Sequence, residues 1–214
     1  MTEIADSNLP ARDVIRHLTH ELRQPLSALD SIAFYLQMTV GGESSDVSAQ
    51  VNRLQQMVDN ANWVLSDVVY LMQMAPPQLE VVNCQELMEE MLTESWACEG
   101  LSITVDTAGD IPGAWVDPAQ IRHMLRSVLQ FLRRSVEEPR AVGISVSAMS
   151  GTVQVHFVAN APQVVPAALF HPLEGNQLYT SRRIAANNGG EFDAVQDEQG
   201  RLSLRLAIPA AATS

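Results

Sequence analysis

No stretch of this 214-residue chain approaches the roughly 20 consecutive apolar residues needed to span a bilayer. Its opening, MTEIADSNLP, lacks the basic and apolar parts of a signal peptide. No membrane association and a cytoplasmic location are the expectations. Cysteine is scarce: Cys84 and Cys98 are the only two, at no metal-ligand or redox spacing, and they read as free thiols of a reducing compartment. Positive charge is short as well. Thirteen basic against 25 acidic side chains leave a formal net charge of −12, which argues against a nucleic-acid partner, since phosphate backbones demand concentrated positive charge. Internal repeats and low-complexity tracts are absent too. What remains is 46% hydrophobic, spread in short periodic bursts, enough for one domain or two modest ones with real cores.

The bursts have two characters. From about Pro10 to Val40, the residues Ile15, Leu18, Leu22, Leu26, Leu29, Ala33, Leu36 and Val40 recur at three- and four-residue steps, the pattern of a long amphipathic helix. GGESSD, 41 to 46, breaks it, and Val51, Leu54, Val58, Ala61, Leu65, Val68 and Met72 repeat it until Pro76 and Pro77. The expectation is an antiparallel helical hairpin, residues 8–76. Two such helices bury their stripes poorly alone, so pairing with a second copy into a four-helix bundle is the economical solution, with fold-back onto the second half as its rival.

The second half, residues 79–210, changes period. Helices are expected at 84–98, 115–138 and 178–188. The second of these opens on Asp117 and Pro118 and carries a core face of Ile121, Met124, Leu125, Val128, Leu129 and Leu132. Alternating strands are expected at 101–105, 142–149, 152–158, 191–195 and 202–207. The whole is an α+β chain: a hairpin followed by a sandwich of helices on a mixed sheet.

Turning each residue by 100° sets His20 about 160° from the centre of the first helix's apolar stripe. His17, Gln24, Ser27 and Ser31 share its side, Glu21 adjoins it and Arg23 lies on another flank. Spacing alone reads His20 as a solvated surface residue. Its chemistry also suits a phosphoryl carrier, because a neutral imidazole is nucleophilic near neutral pH and its phosphoramidate transfers readily onward. His123 and His156 have no companions at ligand spacing, and no metal or other cofactor is expected in this chain. Arg122, Arg126, Arg133 and Arg134 make the helix after Asp117 locally basic, most simply through pairing with nearby carboxylates such as Glu137 and Glu138.

The stretch THELRQPLSAL, 19 to 29, resembles the phosphoacceptor box of the dimerisation and phosphotransfer domain of bacterial sensor histidine kinases. The order of hairpin, hinge and α+β module is similar to that family along nearly the whole chain. The resemblance implies that His20 carries phosphate and Glu21 is its acid/base partner. It also implies that Gln24 stands where some members orient a hydrolytic water.

The second half departs from the family's nucleotide site. By the same alignment Ser127 and Phe131 stand at two asparagine positions, Phe131 at the one that holds magnesium. In VANAPQVVP, 158 to 166, Ala159 replaces the aspartate that accepts the adenine amino group, and Ala161 and Gln163 replace glycines. FHPL, 170 to 173, keeps a family segment, and LYTSRRIAANNGGEF, 178 to 192, keeps a helix and its Gly-Gly ending without the phosphate-loop glycines. An intact histidine box beside an eroded nucleotide domain resembles histidine phosphotransferases of the degenerate-kinase type. That resemblance implies a homodimer relaying phosphate between receiver domains of response regulators. Arg23 and Gln24 would assist docking or dephosphorylation, His17, Ser27 and Ser31 would meet the partner, and Mg2+ would be bound by the receiver. A kinase with an atypical ATP site and a scaffold that regulates two-component partners without carrying phosphate are the alternatives.

Overall fold

The computed structural model describes residues 9–40, 45–93, 100–170 and 178–211, without the side chains of 9–14, 16, 17, 40, 45 and 46. The chain divides into two compact units with the boundary between Met74 and Ala75.

The first unit is a pair of long helices, α1 (Leu9–Val40) and α2 (Ser45–Gln73). Two bonds fix their antiparallel register: Gln37 donates to Asn52 at 3.2 Å and Arg23 to Ser66 at 3.1 Å, so position rises along one helix as it falls along the other. The helical break is shorter than the GGESSD stretch suggests, because Ser45 and Asp46 already belong to α2; residues 41–44 lie outside the described part. Ala33, Val51, Val58 and Thr19 form the buried seam. Leu18, Leu22, Leu29, Ile32 and Leu36 stay exposed. Small residues such as Ala33 let two helices approach closely along a narrow line, and most of the wide predicted stripe lies beside that line.

The second unit runs β1 (Glu80–Val82), α3 (Cys84–Thr93), β2 (Ser102–Thr107), β3 (Ala114–Val116), α4 (Pro118–Ser135), β4 (Ala141–Met149), β5 (Thr152–Asn160), α5 (Pro166–Leu169), α6 (Tyr179–Asn187), β6 (Glu191–Gln196) and β7 (Arg201–Pro209). A five-stranded sheet is ordered β2-β4-β5-β7-β6, with β2 parallel to β4 and the other pairs antiparallel. Burial alternates along β4, β5 and β7, so one face carries the core and the other meets solvent. On the solvent face His156 stands half-buried between its cross-strand neighbours Ser145 and Arg205. β1 and β3 form a separate antiparallel ribbon that pairs Val81 with Trp115. Three residues per strand are too few to show alternation, which is why the sequence pattern does not reveal it. Trp115 is 46% exposed there.

The elements end where local chemistry ends them. Asp117 caps α4 by accepting from the amides of Ala119 and Gln120, and Pro118 sits at the first helical position, where no amide partner is needed. Ile121, Met124, Leu125, Val128, Leu129 and Leu132 are all buried as the periodicity requires. The β4–β5 turn places both Ser150 and Gly151 at positive φ. After α6, a Cβ on Gly190 would lie 2.4 Å from the Ala207 carbonyl, so only glycine lets this turn press onto β7. The helix expected over 84–98 is described to Thr93; residues 94–99 lie outside the described part.

Candidate functional site

His20 sits in the first half of α1 and is exposed. Glu21, Gln24, Ser27 and Ser31 are exposed with it. Among the described residues neither the His20 imidazole nor the Glu21 carboxylate makes a hydrogen bond. Ser31 is the exception on this side, its hydroxyl donating to the Ser27 carbonyl at 2.9 Å. Arg23 turns away and joins Ser66 on α2, whose hydroxyl in turn donates to the Asn62 carbonyl at 2.9 Å. Thr19, next to the histidine, is buried and anchors to the Ile15 carbonyl at 2.8 Å. The His17 side chain lies outside the described residues.

Pro25 lies inside α1, and the helix runs on through it. Lacking an N–H, it removes the donor that would have met the Glu21 carbonyl, so the backbone beside His20 carries a carbonyl without its helical partner.

Sequence reasoning missed an extension of this face. Phe34, Tyr35 and Met38 fall within about 60° of His20 around the helix, and they are 60%, 66% and 72% exposed. Aromatic and methionine side chains in the open are the composition of a protein-contact surface rather than of a solvated face. The signal was present in the residue order, since these three residues fall off the stripe traced from Ile15 to Val40, but the periodicity reading followed only that stripe.

In the second unit, of the positions that the kinase resemblance singles out, Ser127, Phe131, Ala159 and Ala161 are buried, whereas Gln163 is exposed. Phe131 is 2% exposed and Ser127 is buried with it on α4. Ala159 is buried on β5 between Val142 and Leu202. The segment that follows is tied to the β6–β7 turn: Ala161 donates to Gly200 at 3.1 Å and its carbonyl accepts from Gln196 at 2.8 Å. Phe170 stands edge-on to Phe192, their centroids 5.6 Å apart, and the Arg182 guanidinium lies 5.0 Å from the Phe170 ring centre. The Leu178 amide closes onto the Leu169 carbonyl at 3.0 Å; residues 171–177, which include most of FHPL, lie outside the described part. Tyr179 opens α6 half-buried.

Phe131 offers no amide to hold magnesium, and Ala159 no carboxylate to accept an adenine amino group. Among the described residues no three His, Cys, Asp or Glu side chains group as metal ligands. Burial pushes the Cys84 thiol up to about 11, which leaves it protonated and chemically quiet at neutral pH.

A second feature invisible to periodicity is a buried polar cluster. Asn188, Gln120 and Asp117 come together where the end of α6 meets the start of α4. The Asp117 amide donates to Asn188 at 2.7 Å, and Gln120 accepts from both Asn187 and Asn188.

The sequence matches no protein-family model and no curated protein. The fold does have solved counterparts. ShkA, solved full-length in complex with AMPPNP, matches with a TM-score of 0.63 at 20% identity over 94% of this chain, which spans 46% of the ShkA chain. The Acinetobacter baumannii histidine kinase AdeS matches with a TM-score of 0.61 at 15% identity, over 90% of this chain and 98% of AdeS. The nucleotide-free catalytic domain of the histidine kinase ThkA matches with a TM-score of 0.56 at 19% identity, over 64% of this chain and 99% of that domain. No described helix is long and apolar enough to cross a membrane. A helical pair followed by a mixed α/β sandwich, in the order seen in these proteins, gives this chain the fold of a histidine-kinase core.

Proposed function

We propose that this chain is a histidine phosphotransferase that relays a phosphoryl group between receiver-domain aspartates through a phosphohistidine at His20. The observation that carries this reading is the exposed His20–Glu21 pair, on the side of α1 turned away from the buried seam, in a chain with a histidine-kinase fold.

The neutral imidazole attacks the phosphorus of an aspartyl phosphate on the first receiver. The N–P bond forms, the P–O bond to the aspartate breaks, and the carboxylate leaves. The second ring nitrogen gives up its proton to Glu21 or to solvent. In the second half-reaction another receiver's carboxylate attacks, the N–P bond breaks, and the leaving imidazole takes a proton back. Such transfers depend on alignment and charge neutralisation more than on many catalytic side chains. The receiver brings its own Mg2+.

The receiver rests on the side of α1 that bears His17, Gln24, Ser27 and Ser31, and its footprint extends to Phe34, Tyr35 and Met38. Gln24 is placed to orient a water and Arg23 to steady the partner from the α2 side. Leu18, Leu22, Leu29 and Leu36 face a second copy of the chain in a four-helix bundle, which supplies the burial a lone hairpin lacks.

A second reading is a kinase with an atypical ATP site, and the likeness to ShkA solved with AMPPNP favours it. The burial of Phe131 and Ala159 favours the relay. Calorimetry with magnesium-ATP at high protein concentration separates them: the relay gives no saturable heat, whereas binding at micromolar to low millimolar affinity makes the chain a kinase. If His20→Ala leaves every effect on partners intact, the chain is a scaffold and carries no phosphate.

A further inference from the structure

The linker that leaves the helical unit reads Ala75-Pro76-Pro77-Gln78. Its two prolines have no N–H, so the stretch has few groups with which to attach itself to anything. It is nevertheless held at both ends. The Ala75 carbonyl accepts from Gln120 Nε2 at 3.0 Å and from Asn187 Nδ2 at 3.3 Å. On the far side of the prolines the Gln78 amide donates to Asp117 Oδ2 at 2.8 Å.

The clamps share one network. Asp117 divides its carboxylate, Oδ1 capping α4 and Oδ2 holding Gln78. Gln120 Oε1 accepts from Asn187 at 2.9 Å and from Asn188 at 3.0 Å, while Asn188 also meets the Asp117 amide and the Ile184 carbonyl. Asp117, Gln120 and Asn188 are 8%, 5% and 3% exposed. A helix cap requires only the Asp117 carboxylate. Two further amide side chains where α4 meets α6, the buried Gln120 and the half-buried Asn187, both reach the Ala75 carbonyl of the linker, and the buried Asn188 holds the Gln120 amide in place.

We infer that Asp117, Gln120, Asn187 and Asn188 form a latch that seals residues 75–78 to the second unit, so that releasing it lengthens the free connection between the units. Four residues freed at up to about 3.3–3.6 Å each add about 13 Å of reach. The diproline makes the latched segment stiff as well as short. The inference is independent of whether His20 carries phosphate.

Amide hydrogen exchange in the full chain tests it, with Val155 and Phe157 of β5 as internal controls. In the unaltered protein the Gln78 amide exchanges far more slowly than an open linker. Gln120→Met removes every bond made by that side chain and speeds Gln78 exchange at least tenfold; Asn187→Ala speeds it several-fold; the β5 amides keep their rates. A fluorophore pair at the exposed positions Asn60 and Glu191 reports a broader distance distribution in Gln120→Met. Asp117→Asn decides the matter if Gln120→Met does not fold, because it turns an amide nitrogen or a weaker oxygen toward Gln78 and loosens that clamp selectively. Gln78 exchanging at open-linker rates in the unaltered protein, or rates at Gln78 and β5 rising together in the variants, overturns the latch. An unchanged distance distribution on release overturns its role in reach.

Discussion

The two units treat their large apolar side chains in opposite ways. In the sandwich, Phe131, Phe157, Leu129 and Leu204 are buried to within about 2%. On the helical pair, Leu18, Leu22, Phe34, Tyr35 and Met38 are half exposed or more. One unit buries its own core, and the other leaves a band of large apolar side chains exposed, the composition of a contact surface. The proposed relay follows the same division: the exposed His20–Glu21 pair lies on the helical unit, while Phe131 and Ala159 sit in the sandwich core. In the proposed relay, the surface that exchanges partners is the one whose large apolar side chains stay exposed within the chain.

The largest test of this contrast is His20→Asn. We expect phosphoryl acceptance to vanish while the melting curve stays put, because an exposed helix position shifts stability by only about 0.5 kcal/mol; transfer assays and thermal melts read both quantities. Next comes a matched pair of truncations. Phe157→Ala should cost about 3–5 kcal/mol of unfolding free energy, whereas Phe34→Ala should leave denaturation almost unchanged and weaken receiver binding. Equal losses of stability from both would erase the distinction between the units. Leu22→Glu buries a charge only if a second copy covers that stripe, and should then weaken self-association by about 2–4 kcal/mol, read by sedentation equilibrium as a shift to monomer. The smallest effect is on pH. The Cys84 thiol is raised from 9.0 to about 11 by burial, so the folded state keeps its proton after the unfolded chain has lost it. The stability present below pH 9 therefore declines as pH rises towards about 11, by about 2 kcal/mol in chemical denaturation. Cys84→Ala should flatten that decline.

Helix periodicity exposed much of this design in advance. The two long helices, the Asp117-Pro118 start of α4 and the core face from Ile121 to Leu132 follow from spacing and capping chemistry, which are local in sequence. The outward position of His20 follows from the same 100° step. What stayed hidden depends on contacts between distant residues. The β1–β3 ribbon is too short to show a period. The Gln120–Asn188 contact joins positions 68 residues apart, and neither residue type announces a partner. The Phe34–Tyr35–Met38 patch was concealed differently, since hydrophobicity marks a residue for burial without stating whether its own chain or another supplies the cover.

The central claim is that His20 takes phosphate from a receiver. The most direct measurement incubates the chain with a receiver domain carrying radiolabelled aspartyl phosphate and magnesium, with no ATP present. The account predicts label on this chain in an acid-labile, base-stable linkage that maps to His20 and disappears in His20→Asn. Label that remains on the receiver, or that reaches the His20→Asn chain equally well, would contradict it.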